Sequence, residues 1–220
     1  VVLIDLSSLW GAAYHVNSEN GVTEPRKATL EGVKRCVQPG DLVAVCCDSR
    51  TNFRKEISAD YKANREKQPP AAYAELEKTK DRLRADGFLL WTAENMEADD
   101  VIASACDAAV RSGHDVRICS ADKDLMALLG PKVDCLRTHT WSVVGVKEFT
   151  EKFRIRPVQF TDWLALKGDS SDNIPGCDGC GDKWASDLIS RFESVAGLYS
   201  ALDTGTADLP KGITEKLIAC

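Results

Sequence analysis

The sequence predicts an α/β fold with a mainly parallel central sheet flanked by helices, followed by a helical lobe. Short apolar runs alternate with segments of helical spacing over roughly the first two thirds of the chain, the pattern of strands joined by crossover helices. Each run is bounded by polar or turn-forming residues, which suits short buried strands. From about Phe149 the strand pattern gives way to short helical stretches broken by the glycine-rich segment Gly176 to Gly181.

In chain order, Val1 to Leu6 reads as the first strand and not as a signal peptide, for it has no basic region and no small-residue cleavage site. Leu30 to Val37 has helical spacing, and Leu42 to Cys47 is the second strand. Thr51 to Pro70 is polar, strongly charged and closed by the breaker pair Pro69-Pro70, so it is expected to project from the sheet. The alternation continues with a helix at Tyr73 to Leu83, a strand at Phe88 to Trp91 and a helix at Val101 to Val110. It ends with a strand at Val116 to Cys119, a helix at Leu125 to Leu129 and a strand at Val133 to Leu136. The expected division is a core over residues 1–148, containing the 51–70 segment, and a helical lobe over 149–220. The helical ending at Ile213 to Cys220 lacks a stop signal, as expected of a fragment.

Composition excludes some classes. The longest apolar run, Leu42 to Cys47, is far short of the roughly 20 residues that cross a bilayer, so no membrane span is expected and the cytoplasm is the expected compartment. The nine cysteines are odd in number and mostly set in apolar contexts, where reduced cysteine acts as a small hydrophobe. No disulfide framework is expected, and Cys177 and Cys180 read as small apolar residues. Their CxxC spacing has no second cysteine or histidine pair at zinc-site spacing, so structural zinc is not expected. A net charge of −6 argues against nucleic acid as a partner until its distribution is considered.

In open α/β sheets ligands sit beyond the carboxyl ends of the strands, and Asp5, Asp48 and Asp122 fall near such ends. Glu97, Asp99 and Asp100 open a helix, where acids also complement the helix dipole. Asp122 and Asp124 follow a strand, and Asp169 and Asp172 lie three apart among turn formers. Each group has an ordinary structural explanation, a cap or a turn. Together they are nine carboxylates that one rim could gather, and gathered carboxylates need cations to remain ionised. All-oxygen ligation favours Mg²⁺ or Mn²⁺, and no metal role is assigned to His15, His114 or His139. Two such ions about 4 Å apart would activate water and orient a phosphodiester. Removing the nine acids from the count takes −6 to +3, so the remaining surface can attract phosphate.

Arg50, Arg54, Lys55, Lys62, Arg65 and Lys67 concentrate positive charge within and beside the projecting segment, interleaved with Phe53 and Tyr61. Ile174 to Ala185 reads as a turn feeding a helix, whose amides are suited to cradle a phosphate. The tryptophans, Trp91 and Trp163 among them, are read as core or amphipathic packing and not as base-stacking residues.

These residues resemble the 5′ nuclease, or flap endonuclease, superfamily, especially the bacterial DNA polymerase I 5′-nuclease domain and phage 5′ to 3′ exonucleases. The resemblance rests on Phe53-Arg54, Tyr61-Lys62-Ala63-Asn64-Arg65, Glu97-Ala98-Asp99-Asp100, Ala121-Asp122-Lys123-Asp124 and Gly168-Asp169-Ser170-Ser171-Asp172-Asn173-Ile174-Pro175-Gly176, in order and spacing. It implies a PIN-like core, a helical arch beginning in 51–70 and a C-terminal helix-hairpin-helix lobe. It places Asp5, Asp48, Glu97, Asp99 and Asp100 around one metal position, and Asp122, Asp124, Asp169 and Asp172 around a second. Lys62 and Arg65 become the catalytic cations, with Arg54 and Tyr61 beside the DNA. Gly176, Gly179, Gly181 and Lys183 become the hairpin that grips the duplex backbone with K⁺. Leu6, Cys177, Cys180 and Trp184 depart from the family pattern, and Trp184 must find room beside the turn. The implied activity is Mg²⁺- or Mn²⁺-dependent hydrolysis of branched or 5′-ended DNA in replication and repair, by a monomer working with a DNA polymerase. The alternatives are an inactive branched-DNA binder of the same fold and, third, an RNA-cleaving nuclease of the related PIN-like type, which shares the sheet-end acids but normally lacks the glycine hairpin.

Overall fold

The computed structural model describes residues 1–19 and 24–220, with the backbone alone for 15–19. The chain divides into two compact units: Val1–Glu56 with Glu66–Gly145, and Ile57–Arg65 with Val146–Cys220.

The first unit is built on six strands, β1 (Val2–Asp5), β2 (Val43–Cys46), β3 (Leu89–Trp91), β4 (Val116–Ser120), β5 (Val133–Arg137) and β6 (Ser142–Val144). They form one sheet in the order β3-β2-β1-β4-β5-β6. All neighbours are parallel except β5 and β6. From β1 the chain winds first towards β2 and β3 and then returns to β4 on the other side. The order therefore reverses between β1 and β4, and in open α/β sheets the crevice at such a reversal is where ligands bind.

Five of these strands stand where apolar runs predict them. The sixth, β6, is antiparallel and only three residues long, too short for a periodic signal. One expectation is corrected here: β3 is not a buried strand. It lies at the sheet edge, which leaves Leu89 59% and Trp91 45% exposed.

The helices of this unit are α1 (Leu6–Glu19), α2 (Pro25–Cys36), α4 (Pro70–Ala85) and α5 (Ala98–Arg111), with the single turn α3 (Arg54–Ile57) leading out of it. Both α2 and α4 begin with proline at the first helical position, where its missing N–H costs nothing and its fixed φ suits the helix. Ile4, Val33, Val45, Leu83 and Cys119 centre the core between sheet and helices. The apolar spacing at Leu125 to Leu129 yields a short 3-10 helix, Asp124–Leu128, and not an α-helix. Six cysteines, Cys36, Cys46, Cys47, Cys106, Cys119 and Cys135, are free and buried, as small hydrophobes should be. Burial pushes the Cys46 and Cys47 thiols up to about 12 and about 11, so they stay protonated.

The second unit is helical: α6 (Val146–Phe153), α7 (Phe160–Lys167), α8 (Asp182–Phe192), α9 (Val195–Asp203) and α10 (Lys211–Ile218). Its core is a cluster of rings, Phe149, Phe153, Phe160 and Trp163, with centroids 4.7 to 5.3 Å apart. The Trp163 indole N–H donates to Ser186 Oγ at 3.0 Å, which satisfies the one polar atom that burying the ring brings in. Cys177 corrects a second expectation. It is no free apolar residue: it is bonded to Cys220, 43 residues away, so α10 is stapled back to the turn that precedes α8.

Candidate functional site

Asp5 closes β1 and is only 4% exposed. Its Oδ1 accepts the Ser8 amide at 3.0 Å and its Oδ2 accepts Ser120 Oγ at 2.6 Å. Burial pushes its pKa up to about 6; the two hydrogen bonds oppose that rise, while the charges of Asp48 and Asp122 add to it. Asp48, just past β2, accepts the Ala98 amide at 2.7 Å and Ser7 Oγ at 2.5 Å. Asp122, just past β4, donates its amide to Ser120 Oγ at 2.9 Å and accepts the Asp124 amide at 2.9 Å. Three of the acids chosen from sequence are thus brought together electrostatically at the carboxyl end of the sheet.

The acids that open α5 are engaged at once. Asp100 Oδ2 accepts the Glu97 amide at 3.0 Å, one half of a capping box. Arg54 grips both Asp100 oxygens at 2.7 Å and lies 3.7 Å from Glu97, a bidentate charge-assisted pair. Asn52 Nδ2 donates to Glu97 Oε1 at 2.6 Å. Asp99 stands beside them, half-buried. Asp124 is also half-buried, at the start of the 3-10 turn.

In the second unit, the Gly168 to Gly176 motif forms a closed loop whose neck is a bridge between Asp169 and Ile174. A β-carbon on Gly168, which has φ +81°, would fall 2.4 Å from the Gly176 amide nitrogen. One on Gly176 would fall 2.2 Å from the Lys167 carbonyl. Both glycines of the motif are therefore there because the backbone crosses itself. Asp169 Oδ1 accepts the Ser171 amide and hydroxyl at 2.9 and 2.7 Å, which fixes the turn. Asp172 receives Tyr61 Oη at 3.1 Å, an Arg65 guanidinium nitrogen at 2.5 Å and Lys62 Nζ at 3.8 Å. Asn64 Nδ2 donates to the Ser170 carbonyl at 2.8 Å. The Tyr61 to Arg65 motif thus docks on the Gly168 to Gly176 loop, and the two expected catalytic cations rest on one of the expected metal acids.

The hairpin follows that loop. Cys177 to Cys180 is a tight turn closed by the Cys180 amide on the Cys177 carbonyl at 2.9 Å, with Gly179 at φ +76°. Gly181 caps α8, and Lys183 is the second residue of that helix. Lys183 is exposed and borders a groove of about 460 Å³ with Lys152, Arg154 and Ser186 and the acids Asp182 and Asp187. A cavity of about 270 Å³ lined by the turn, α8 and α10 takes in Trp184 beside Ile213 and Leu217. The indole therefore has room next to the turn.

Among the described residues, no three histidine, cysteine, aspartate or glutamate side chains stand as a ready-made metal cage. The donor chemistry still suits a hard divalent cation. Every candidate is a carboxylate oxygen, and Mg²⁺-type ions keep several waters and take only one or two carboxylates. Asp5, held partly protonated by burial and by its acidic neighbours, is the group that a cation would restore to its charged form. His114 and His139 are exposed, and the His15 side chain lies outside the described residues. Sequence reasoning missed the hydroxyls of Ser7, Ser8 and Ser120, which orient Asp48, the Ala121 amide and Asp5 respectively. The available signal was their position, Ser7 and Ser8 two and three residues after Asp5 and Ser120 two residues before Asp122.

Residues 1–154 match the family model described as 5′-3′ exonuclease, N-terminal resolvase-like domain, and residues 155–220 match 5′-3′ exonuclease, C-terminal SAM fold. The thermostable DNA polymerase I of Thermus aquaticus is 33% identical over 228 residues, covering 100% of this chain and 27% of the polymerase. A 5′-3′ exonuclease of Buchnera aphidicola from Schizaphis graminum is 33% identical over 162 residues, covering 74% of this chain and 56% of that protein. The chain thus spans about a quarter of that polymerase and just over half of that exonuclease. Among solved structures, the T5 5′-exonuclease with bound zinc ions is 25% identical with a TM-score of 0.76, covering 100% of this chain and 84% of that one. The catalytic core of Rad2 in complex with DNA substrate shares the fold at 16% identity, with a TM-score of 0.65, over 99% of this chain and 70% of that one. On both family matches, which together run from Val1 to Cys220, the chain belongs to the 5′-3′ exonuclease family.

Proposed function

We propose that this chain is a structure-dependent 5′ nuclease that hydrolyses DNA phosphodiester bonds at 5′ ends and 5′ flaps with Mg²⁺ or Mn²⁺. The observation that carries the proposal is the group of acids at the sheet's switch point, where buried Asp5 feels the charges of Asp48 and Asp122. Such crowding is costly for a binding protein to maintain and useful to one that recruits divalent cations. Asp5, Asp48, Glu97, Asp99 and Asp100 are assigned to one cation position, and Asp122, Asp124, Asp169 and Asp172 to a second. When bound, the cations supply Lewis-acid activation of water and neutralise charge on the phosphodiester.

The rest of the work belongs to side chains. Lys62 and Arg65, resting on Asp172, transfer to the scissile phosphate when DNA arrives, exchanging one anionic partner for another and stabilising the charge that develops there. Arg54 and Tyr61 flank them. The amides of Gly176, Gly179 and Gly181 with Lys183 hold the duplex backbone, which positions the DNA without reading its bases, and K⁺ accompanies that turn. On this reading the protein works as a cytoplasmic monomer alongside a DNA polymerase, in replication and repair.

The test is a 5′-end-labelled flap duplex incubated with Mg²⁺ or with EDTA, beside single-stranded RNA. We expect release of a short 5′ DNA product in Mg²⁺ alone, and its loss in Asp122→Asn with flap binding retained in Ca²⁺. Tight flap binding with no cut in any divalent cation would instead identify an inactive junction binder.

A further inference from the structure

Arg137 ends β5, and the parallel register sets it opposite Ser120, the last residue of β4. Its guanidinium reaches the loop that leaves β4 and donates to two successive main-chain carbonyls, those of Ala121 and, at 2.5 Å, Asp122. The same loop is held at three other points. Thr138 N donates to the Ser120 carbonyl at 3.3 Å, Ala121 N to Ser8 Oγ at 2.8 Å, and Asp122 N to Ser120 Oγ at 2.9 Å. Of these groups only Arg137 satisfies the Ala121 and Asp122 carbonyls, and its planar fork serves both in one fixed geometry, whereas an ammonium presents rotating donors.

We propose that Arg137 is a positioning residue for divalent-cation binding: its fork locks the Ala121–Asp122 peptides so that the Asp122 carboxylate is presented to a cation in one fixed orientation. The proposal rests on the reading of Asp122 as a cation-binding acid. Two roles predict opposite results for a lysine in this place. If Arg137 acted only as a positive charge near the acids, Arg137→Lys would bind cations as wild type does, and an uncharged residue would bind them more tightly through lost repulsion. If the fork positions the loop, lysine fails, because an ammonium cannot hold two carbonyls in a fixed plane.

The experiment is isothermal titration of Mn²⁺ alone into the metal-free protein, comparing wild type with Arg137→Lys, Arg137→Gln and Asp122→Asn, each checked for folding by thermal melting. We expect both arginine variants to weaken Mn²⁺ binding by about 10-fold or more, the usual size of losing a group that orients a metal ligand, while flap binding in EDTA is unchanged. Wild-type Mn²⁺ affinity in Arg137→Lys overturns the proposal, as does tighter binding in Arg137→Gln. Unchanged affinity in Asp122→Asn instead overturns the assignment of Asp122 on which the proposal rests, and the two failures are told apart by which variant shows no effect. Should the arginine variants not fold, hydrogen exchange on the wild type decides. Slowly exchanging Arg137 Nη protons with restricted guanidinium rotation in the metal-free protein support the fork, and Nη protons that exchange as fast as those of a free arginine overturn it.

Discussion

Burial pulls Asp5 one way and its neighbours' hydroxyl and amide donors pull it the other. With a folded-state pKa of about 6 against an ordinary 3.8, the folded chain binds more protons than the unfolded chain between roughly pH 4 and 6. Folding stability contributed by Asp5 therefore falls as pH rises through that window, and the ionised carboxylate at neutral pH costs the metal-free fold about 3 kcal/mol at most. Asp5→Asn keeps the shape and an acceptor for the Ser8 amide without the charge. In EDTA it should be more stable than wild type at pH 7 by about 1 to 3 kcal/mol, and the gap should close at pH 4. Urea unfolding across that range checks it; a gap independent of pH would show that the charge is not what burial opposes. Asp5, Asp48 and Asp122 were legible in the sequence because each follows an apolar run, and a strand end is a local signal. Ser120 and Arg137 were not legible as their supports. Which side chain stands opposite a strand end is decided by the register of β4 against β5, and that register is set by packing across the sheet.

Elements were legible where their pattern was long. The strands from β1 to β5 and helices α2, α4 and α5 stand where periodicity puts them, within a few residues. What escaped was short or tertiary in origin: β6 with three residues, the exposed face of edge strand β3, and α1, which starts at Leu6 where an apolar strand run has just ended. The acidic start of α5 illustrates why motif and scaffold are hard to separate from sequence. Asp100 caps the helix and pairs with Arg54, so the ordinary reading of that motif is physically realised whatever else the acids do. The least legible link is Cys177 with Cys220, because an odd cysteine count in apolar settings gives no pairing signal. Closing a loop of 43 residues restricts the unfolded chain by about 4 kcal/mol in the chain-entropy account. Cys220→Ser, or reduction of the wild type, should therefore lower the stability of the helical unit by about 2 to 4 kcal/mol. Calorimetry with and without reductant measures this, and identical unfolding in both would mean that the bridge does not form in solution.

A molecule with a net charge of −6 must bind a polyanion through local cations and not through its overall field. Acids concentrate at the carboxyl end of the sheet and at the start of α5. Of the cations named from sequence, Arg54 rests on Asp100 at the start of α5 and Arg65 on Asp172 of the helical unit, while Lys183 lines the groove beside α8 together with Lys152 and Arg154 and with the acids Asp182 and Asp187. The first kind is already neutralised and gains little from phosphate unless it leaves its acid. Lys183 is different: it is exposed, lies in the first turn of α8 and has amides of the preceding turn for company, so a phosphate there meets both a charge and a helix N-terminus. Duplex affinity should accordingly depend on salt through few contacts. Lys183→Ala should weaken binding in Ca²⁺ and reduce the slope of log K against log salt by about 0.9, the release expected for one neutralised phosphate. Arg54→Ala should leave that slope nearly unchanged, because its guanidinium is held by Asp100 in the free protein. Titrations at four or five salt concentrations distinguish the two. If Lys183→Ala retains the wild-type slope, Lys183 makes no phosphate contact and is removed from the interface.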